Sequence, residues 1–145
     1  MKKIGTYTLK GHWDPDTGPH KLILDDGSFE TGYRIIAFEH ALTDPVNSAE
    51  YKVLLSTIDD SSTAFDWSKN TQVAWGWGGN NASGGAIQGF ANFSVVDPDN
   101  LFIQDLYLVG SNTSVDLINY MIIVEKYDIS DSTGALAMVR NRSQA

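Results

Sequence analysis

Between Ile4 and Tyr127 apolar and polar side chains alternate with a period of two, and clusters of Gly, Pro, Asp and Asn interrupt the alternation. Successive side chains of a strand point to opposite faces, so this pattern predicts strands with one buried face. Lys3 to Lys10 reads as the first, with Gly5, Tyr7 and Leu9 on one side and Ile4, Thr6 and Thr8 on the other. HWDPDTGPH follows as a turn-rich loop, and Lys21 to Leu24 as a short second strand. Asp25-Asp26-Gly27 between apolar runs is a hairpin signal, because glycine enters the left-handed conformation at little cost. Further strands are expected at Gly32 to Leu42, Tyr51 to Ile58, Thr63 to Trp67, Thr71 to Trp77, Ala86 to Val96, Leu101 to Val109 and Leu117 to Tyr127. The last is apolar on both faces around Met121 to Val124, which predicts a central strand covered on each side.

About eight strands separated by turn signals, with no helix between them, predict an all-β fold, an antiparallel sandwich or barrel; eight strands in two sheets suit a jelly-roll-like β-sandwich, which alternation alone does not separate from other sandwiches. The final residues break the period. Ser130-Asp131-Ser132-Thr133 supply N-cap side chains, and Ala135, Leu136, Met138 and Val139 recur at helical spacing. A short C-terminal helix over 131–142 is therefore expected, with Arg140 and Arg142 suiting its negative end. No linker or repeat divides the 145 residues, which read as one domain.

The stretch QVAWGWGGNNASGG, Gln72 to Gly85, carries the most pointed question in the chain. Alternation puts Val73, Trp75 and Trp77 on one face and Ala74, Gly76 and Gly78 on the other. Trp75 is expected in the core, Trp77 at its edge, and the glycine-rich stretch Gly78 to Gly85 as a loop. Trp75, Trp77, Asn80 and Asn81 are the candidate contact residues, toward another subunit or a glycan. Trp67 and Phe65 extend the set of rings that a sugar face would stack on.

Composition narrows the chemistry. The chain has no cysteine, which excludes disulfides and thiolate metal sites. Net charge is −8 without any basic stripe, so nucleic acid and anionic membrane surfaces are not expected partners. The longest strongly apolar run, MIIV, is far short of the ~20 residues of a spanning helix. IGTYTLKGHW, after the opening Met-Lys-Lys, lacks the apolar run of a secretion signal, so synthesis in a cytoplasm is expected.

Candidate catalytic and metal groups are weak. His12, Asp14, Asp16 and His20 lie within nine residues, yet Asp-Pro-Asp-Thr-Gly also reads as an ordinary exposed turn. Glu39 and His40 are neighbours on a strand and point to opposite faces, so they form no local acid–base pair. There is no Gly-x-Ser-x-Gly, phosphate loop or His-Glu-x-x-His. No enzymatic activity, cofactor or metal is expected. Asn81, Asn92, Asn112 and Asn141 fit the glycosylation acceptor pattern by chance in a chain without a secretion signal.

Short strings near the C-terminus carry a resemblance. They are Asn119-Tyr120-Met121, Glu125-Lys126-Tyr127, Ile129-Ser130-Asp131 and Val139-Arg140-Asn141-Arg142-Ser143-Gln144. Val96-Asp97-Pro98-Asp99-Asn100-Leu101 and the opening Lys3-Ile4-Gly5-Thr6-Tyr7 add to it. Together these strings resemble small virion structural proteins of marine bacteriophages. The resemblance implies a capsid decoration, spike or minor tail component, located in the virion and contacting other capsid or tail proteins, and it implies no particular site residue. Such a protein is expected to assemble with copies of itself, as a trimer, with a carbohydrate-binding or receptor-binding module as the alternative.

Overall fold

The computed structural model describes residues 2–24, 27, 30–44, 49–83, 86–103 and 105–130, with the side chains of 81–90 outside that description. Among the described residues there are eight strands: β1 (Lys2–Trp13), β2 (His20–Leu22), β3 (Thr31–Leu42), β4 (Ala49–Ser56), β5 (Gln72–Ser83), β6 (Ala86–Val96), β7 (Leu106–Asn112) and β8 (Ile118–Asp128). They form two antiparallel sheets packed face to face, an all-β sandwich that does not close into a barrel. The three-stranded sheet has the order β1-β8-β3, and the five-stranded sheet β2-β7-β4-β5-β6. The expected helix over 131–142 lies outside the described residues.

The core fills the space between the sheets. From β8 come Ile118, Tyr120, Ile122 and Val124, and from β3 come Tyr33, Ile35, Phe38 and Leu42. The facing sheet contributes Leu106 and Leu108, Tyr51, Val53 and Leu55, and Val73 and Ala74. Each fully buried large side chain of this kind stabilises the fold by about 1.5–3 kcal/mol relative to leaving it in water. β8 is central in its sheet, as its apolar run predicts, but it is covered on one face only. Asn119 and Met121 are exposed on the other face, because nothing among the described residues is layered over the outside of that sheet.

Four expectations change. β2 and β3 form no hairpin: β2 pairs with β7 in one sheet and β3 with β8 in the other, although Gly27 does take φ +80°; Asp25 and Asp26 lie outside the described residues. Thr63 to Trp67 is not a strand. Aspartate side chains bend it locally, Asp60 accepting from Ser62 N–H and Asp66 from Ser68 N–H, each at 3.0 Å. Leu101 to Ile103 is likewise irregular, with a bridge between Tyr33 and Phe102, and Gln104 lies outside the described residues. Finally, of the loop expected over Gly78 to Gly85, Gly78 to Ser83 is instead the continuation of β5, and Gly84 and Gly85 lie outside the described residues. Glycine reads locally as a turn former, whereas at Gly78 the missing Cβ leaves room for the Tyr51 ring of the neighbouring strand β4.

Candidate aromatic surface and buried histidine cluster

A bulge at the start of β5 decides where its tryptophans go. Leu55 opposes Ala74 but Ser56 opposes Gln72, so Val73 is the extra residue and alternation resets there. Val73 and Ala74 both point into the core, and Trp75 and Trp77 point away from it. Val73 therefore does not share a face with the tryptophans. Trp75 is buried, at 5% exposure, but in a separate small cluster with Leu54 and Val109 on the outer face of the five-stranded sheet.

The irregular segment 57–71 covers that cluster, and Gln72 ties it down. Gln72 Oε1 accepts from Trp75 Nε1–H and from Asp66 N–H, both at 2.9 Å, while its Nε2 donates to Ala64 O at 2.9 Å. Trp67 lies on Trp75 with ring centroids 5.9 Å apart and remains 71% exposed. Phe65 meets Phe93 of β6 edge to face at 6.5 Å, and Lys52 Nζ sits 5.8 Å from the Phe65 ring centre. Trp77, half-buried, stands between Lys52 and Phe93 in the ladder. Val95, opposite Trp75, extends the strip. The outcome is an aromatic surface of Phe65, Trp67, Trp77, Phe93 and Val95 on an otherwise acidic chain.

Among the candidate residues, Trp77 belongs to this surface and Trp75 supports it from beneath. Asn80 has a structural tie: its Oδ1 accepts from Ala49 N–H at 3.0 Å. Asn81 lies in β5 with its side chain outside the described residues. Phe93 and Val95 are absent from the sequence-based candidates. Their two-residue spacing and the antiparallel return after the glycines are the signal that places them beside Trp75 and Trp77.

On the inner side, the small residues of β5 make room for a polar cluster. A Cβ at Gly76 would collide with the His40 ring, and one at Gly78 with the Tyr51 hydroxyl. His40 is 5% exposed; its Nδ1 lies 2.8 Å from Tyr51 Oη, and its Nε2 lies 2.9 Å from Phe93 O and 2.8 Å from Ser94 Oγ. Burial pushes the His40 pKa below its ordinary value, against the opposing pull of the Phe93 carbonyl and the Glu39 charge. The ring is therefore neutral at neutral pH and carries one proton. A carbonyl can only accept, so that proton sits on Nε2, and bare Nδ1 accepts the Tyr51 O–H. Ser94 consequently faces an N–H rather than a basic lone pair, and the Ser–His contact does not activate a nucleophile. The cluster's work is structural: His40 joins β3 to β4 and β6, and Asn92 Nδ2 adds a bond to His40 O at 3.2 Å.

The His12–His20 stretch also resolves as structure. Asp14 caps a short 3-10 turn over Pro15–Thr17, accepting from Asp16 N–H at 3.0 Å, and His20 packs on Tyr120 with ring centroids 6.1 Å apart. Among the described residues no group of three His, Asp or Glu side chains is placed to hold a metal ion, and no helix is long and apolar enough to cross a membrane. Comparison with known proteins finds no matching family model, no matching curated protein and no matching solved structure.

Proposed function

We propose that this chain is a non-enzymatic structural protein of a bacteriophage virion, a capsid decoration, spike or minor tail component, that assembles as a symmetric homo-oligomer, a trimer. The observation that carries the assembly part is the aromatic surface. Trp67, 71% exposed, packs on Trp75, and exposed Phe65 packs on exposed Phe93, next to Trp77 in the ladder; exposed apolar patches mark interaction sites. Aromatic side chains dominate the energetics of such contacts. The virion part is supported by the resemblance of the C-terminal strings. Strand adjacency is in keeping with a jelly-roll-like roll, in which a ribbon folded in half pairs first with eighth, second with seventh, third with sixth and fourth with fifth strands. Three of those pairs are present, and β6 stays on β5 rather than joining β3. Light scattering tests the assembly: the expected mass is several times 15.9 kDa, and a strictly monomeric protein at high concentration overturns the reading.

A carbohydrate-binding or host-receptor-binding role is the second reading, favoured by one feature, the Trp67 ring open to solvent and backed by Trp75. Binding on a glycan array that disappears in folded Trp67→Ala and Trp77→Ala variants is the expected result. Absence of binding, or binding that survives both substitutions, removes this reading.

A further inference from the structure

Four strands end the two sheets: β1 and β3 in one, β2 and β6 in the other. An edge strand presents unpaired N–H and C=O groups, and natural edges carry devices against uncontrolled pairing: charge, a bulge, shortness or a cover. β1 has Lys2, Lys3 and Lys10 and a bulge between Lys3 and Gly5. β2 is three residues long and contains Lys21. β3 has Arg34, Glu39 and a bulge between Ile35 and Ala37. It is also covered, since Phe102 exchanges two backbone bonds with Tyr33 at 2.8 and 3.0 Å, and the Asn100 amide does the same for Ile35 at 2.7 and 3.0 Å. β6 differs from all three. Its eleven residues, AIQGFANFSVV, contain no charge and no proline, and Ala91 to Val95 are exposed.

The direction of its backbone groups follows from one bond. Asp97 N–H donates to Val73 O at 3.0 Å, and alternation along the antiparallel ladder then turns the N–H and C=O of Asn92, Ser94 and Val96 away from β5. Phe90 shares that parity, whereas Gln88 is the extra residue where Asn81↔Gly89 gives way to Ala82↔Ile87. Among the described residues the regular unpaired edge therefore runs from Phe90 to Val96.

We propose that this edge pairs with the same edge of a second copy, antiparallel, about a twofold axis through Phe93. The inference deepens the assembly reading above and rests on it. Two chains of net charge −8 repel, and β6 is the edge among these four that carries no charged residue, so two copies meet along it without setting like charges against each other. Self-pairing also satisfies both edges with one isologous contact. With the axis at Phe93, Asn92 faces Ser94 of the second copy, Phe90 faces Val96, and Asp97 faces Gly89 rather than another acid. Phe93 meets its own copy at a non-hydrogen-bonded position, where Cα atoms approach to about 4.5 Å. The aromatic surface of Phe65, Trp77 and Phe93 then continues across the axis. A twofold contact does not close a ring of three, so with the trimer proposed above this pairing joins two trimers.

The absence of cysteine makes a clean test. Phe93→Cys is expected to form an intermolecular disulfide under mild oxidation, while Met121→Cys, exposed on the opposite sheet, does not. Phe93→Glu and Phe93→Lys each place a charge against its own copy and are expected to weaken association at least about tenfold. An equimolar mixture of the two restores it, because opposite charges then meet; circular dichroism checks that each variant is folded. If the wild type is oligomeric but Phe93→Cys couples no better than Met121→Cys, or the mixture of folded variants stays dissociated, edge pairing is wrong and the assembly reading stands. A monomeric wild type removes both.

Discussion

Gly76 and Gly78 show how much depends on atoms that are missing. A strand interior disfavours glycine, so its presence at two alternate positions marks a close approach. The approaching groups are His40 and Tyr51, whose rings occupy the volume that side chains on β5 would otherwise fill. Gly76→Ala is therefore expected to destabilise the protein by about 1–3 kcal/mol, the cost of overpacking a well-filled site. Urea denaturation measures it. Combining Gly76→Ala with His40→Ala should cost less than the two single changes added together, because the second substitution empties the space that the first invades. Additive effects would show that the ring and the glycine do not share that space.

Among elements, β5 and the irregular segment before it form one unit. Trp75 points outward on β5 and would be exposed if 57–71 did not lie over it. The Gln72 side chain makes two hydrogen bonds to the segment, at Asp66 and Ala64, and accepts a third from Trp75 beneath it. Gln72→Ala removes them and leaves the buried Trp75 N–H without its acceptor, a loss of about 1–3 kcal/mol. Red-shifted tryptophan fluorescence and new proteolytic cleavage within 57–71 are the expected signs. Unchanged stability and fluorescence would mean that aromatic packing alone fixes the segment. The bulge at Val73 matters here as well: without it, the Trp75 and Val73 side chains would compete for one face.

For the molecule as a whole, the buried His40–Tyr51 pair shapes stability against pH. The folded pKa of His40 lies below that of the unfolded chain, so the unfolded state binds the proton more readily. Stability is complete above about pH 6.5 and is lost progressively as pH falls below it. Tyr51 acts at the other end: burial raises its pKa from 10.0 to about 12, so stability is complete below pH 10 and declines as pH rises toward 12. Glu125, held low first by its hydrogen bond from Lys3, and Asp66 and Asp128, held low by Ser68 and Ser130, act only in the more acidic carboxylate range. Urea midpoints across pH should show the early acid fall, and His40→Gln should remove it. An acid limb that begins only near pH 4 in the wild type would contradict the neutral buried ring.

Much of this architecture was legible as periodicity. Alternation located most strands and the central place of β8, because one buried face imposes a period of two on any strand. Charge and the lack of cysteine were equally direct. The tertiary structure decided what alternation cannot encode: which strands share a sheet, where a bulge shifts the phase, and which apolar residues lie between layers rather than outside them. Trp75 and Val73 look alike in a period-two pattern, and one extra backbone residue sends them to opposite faces. Phe93 and His40 lie 53 positions apart and meet only because two sheets close over each other. Local side-chain order is written in the chain, whereas long-range adjacency arises from the packing of layers, and the aromatic surface and the free β6 edge exist only after that packing.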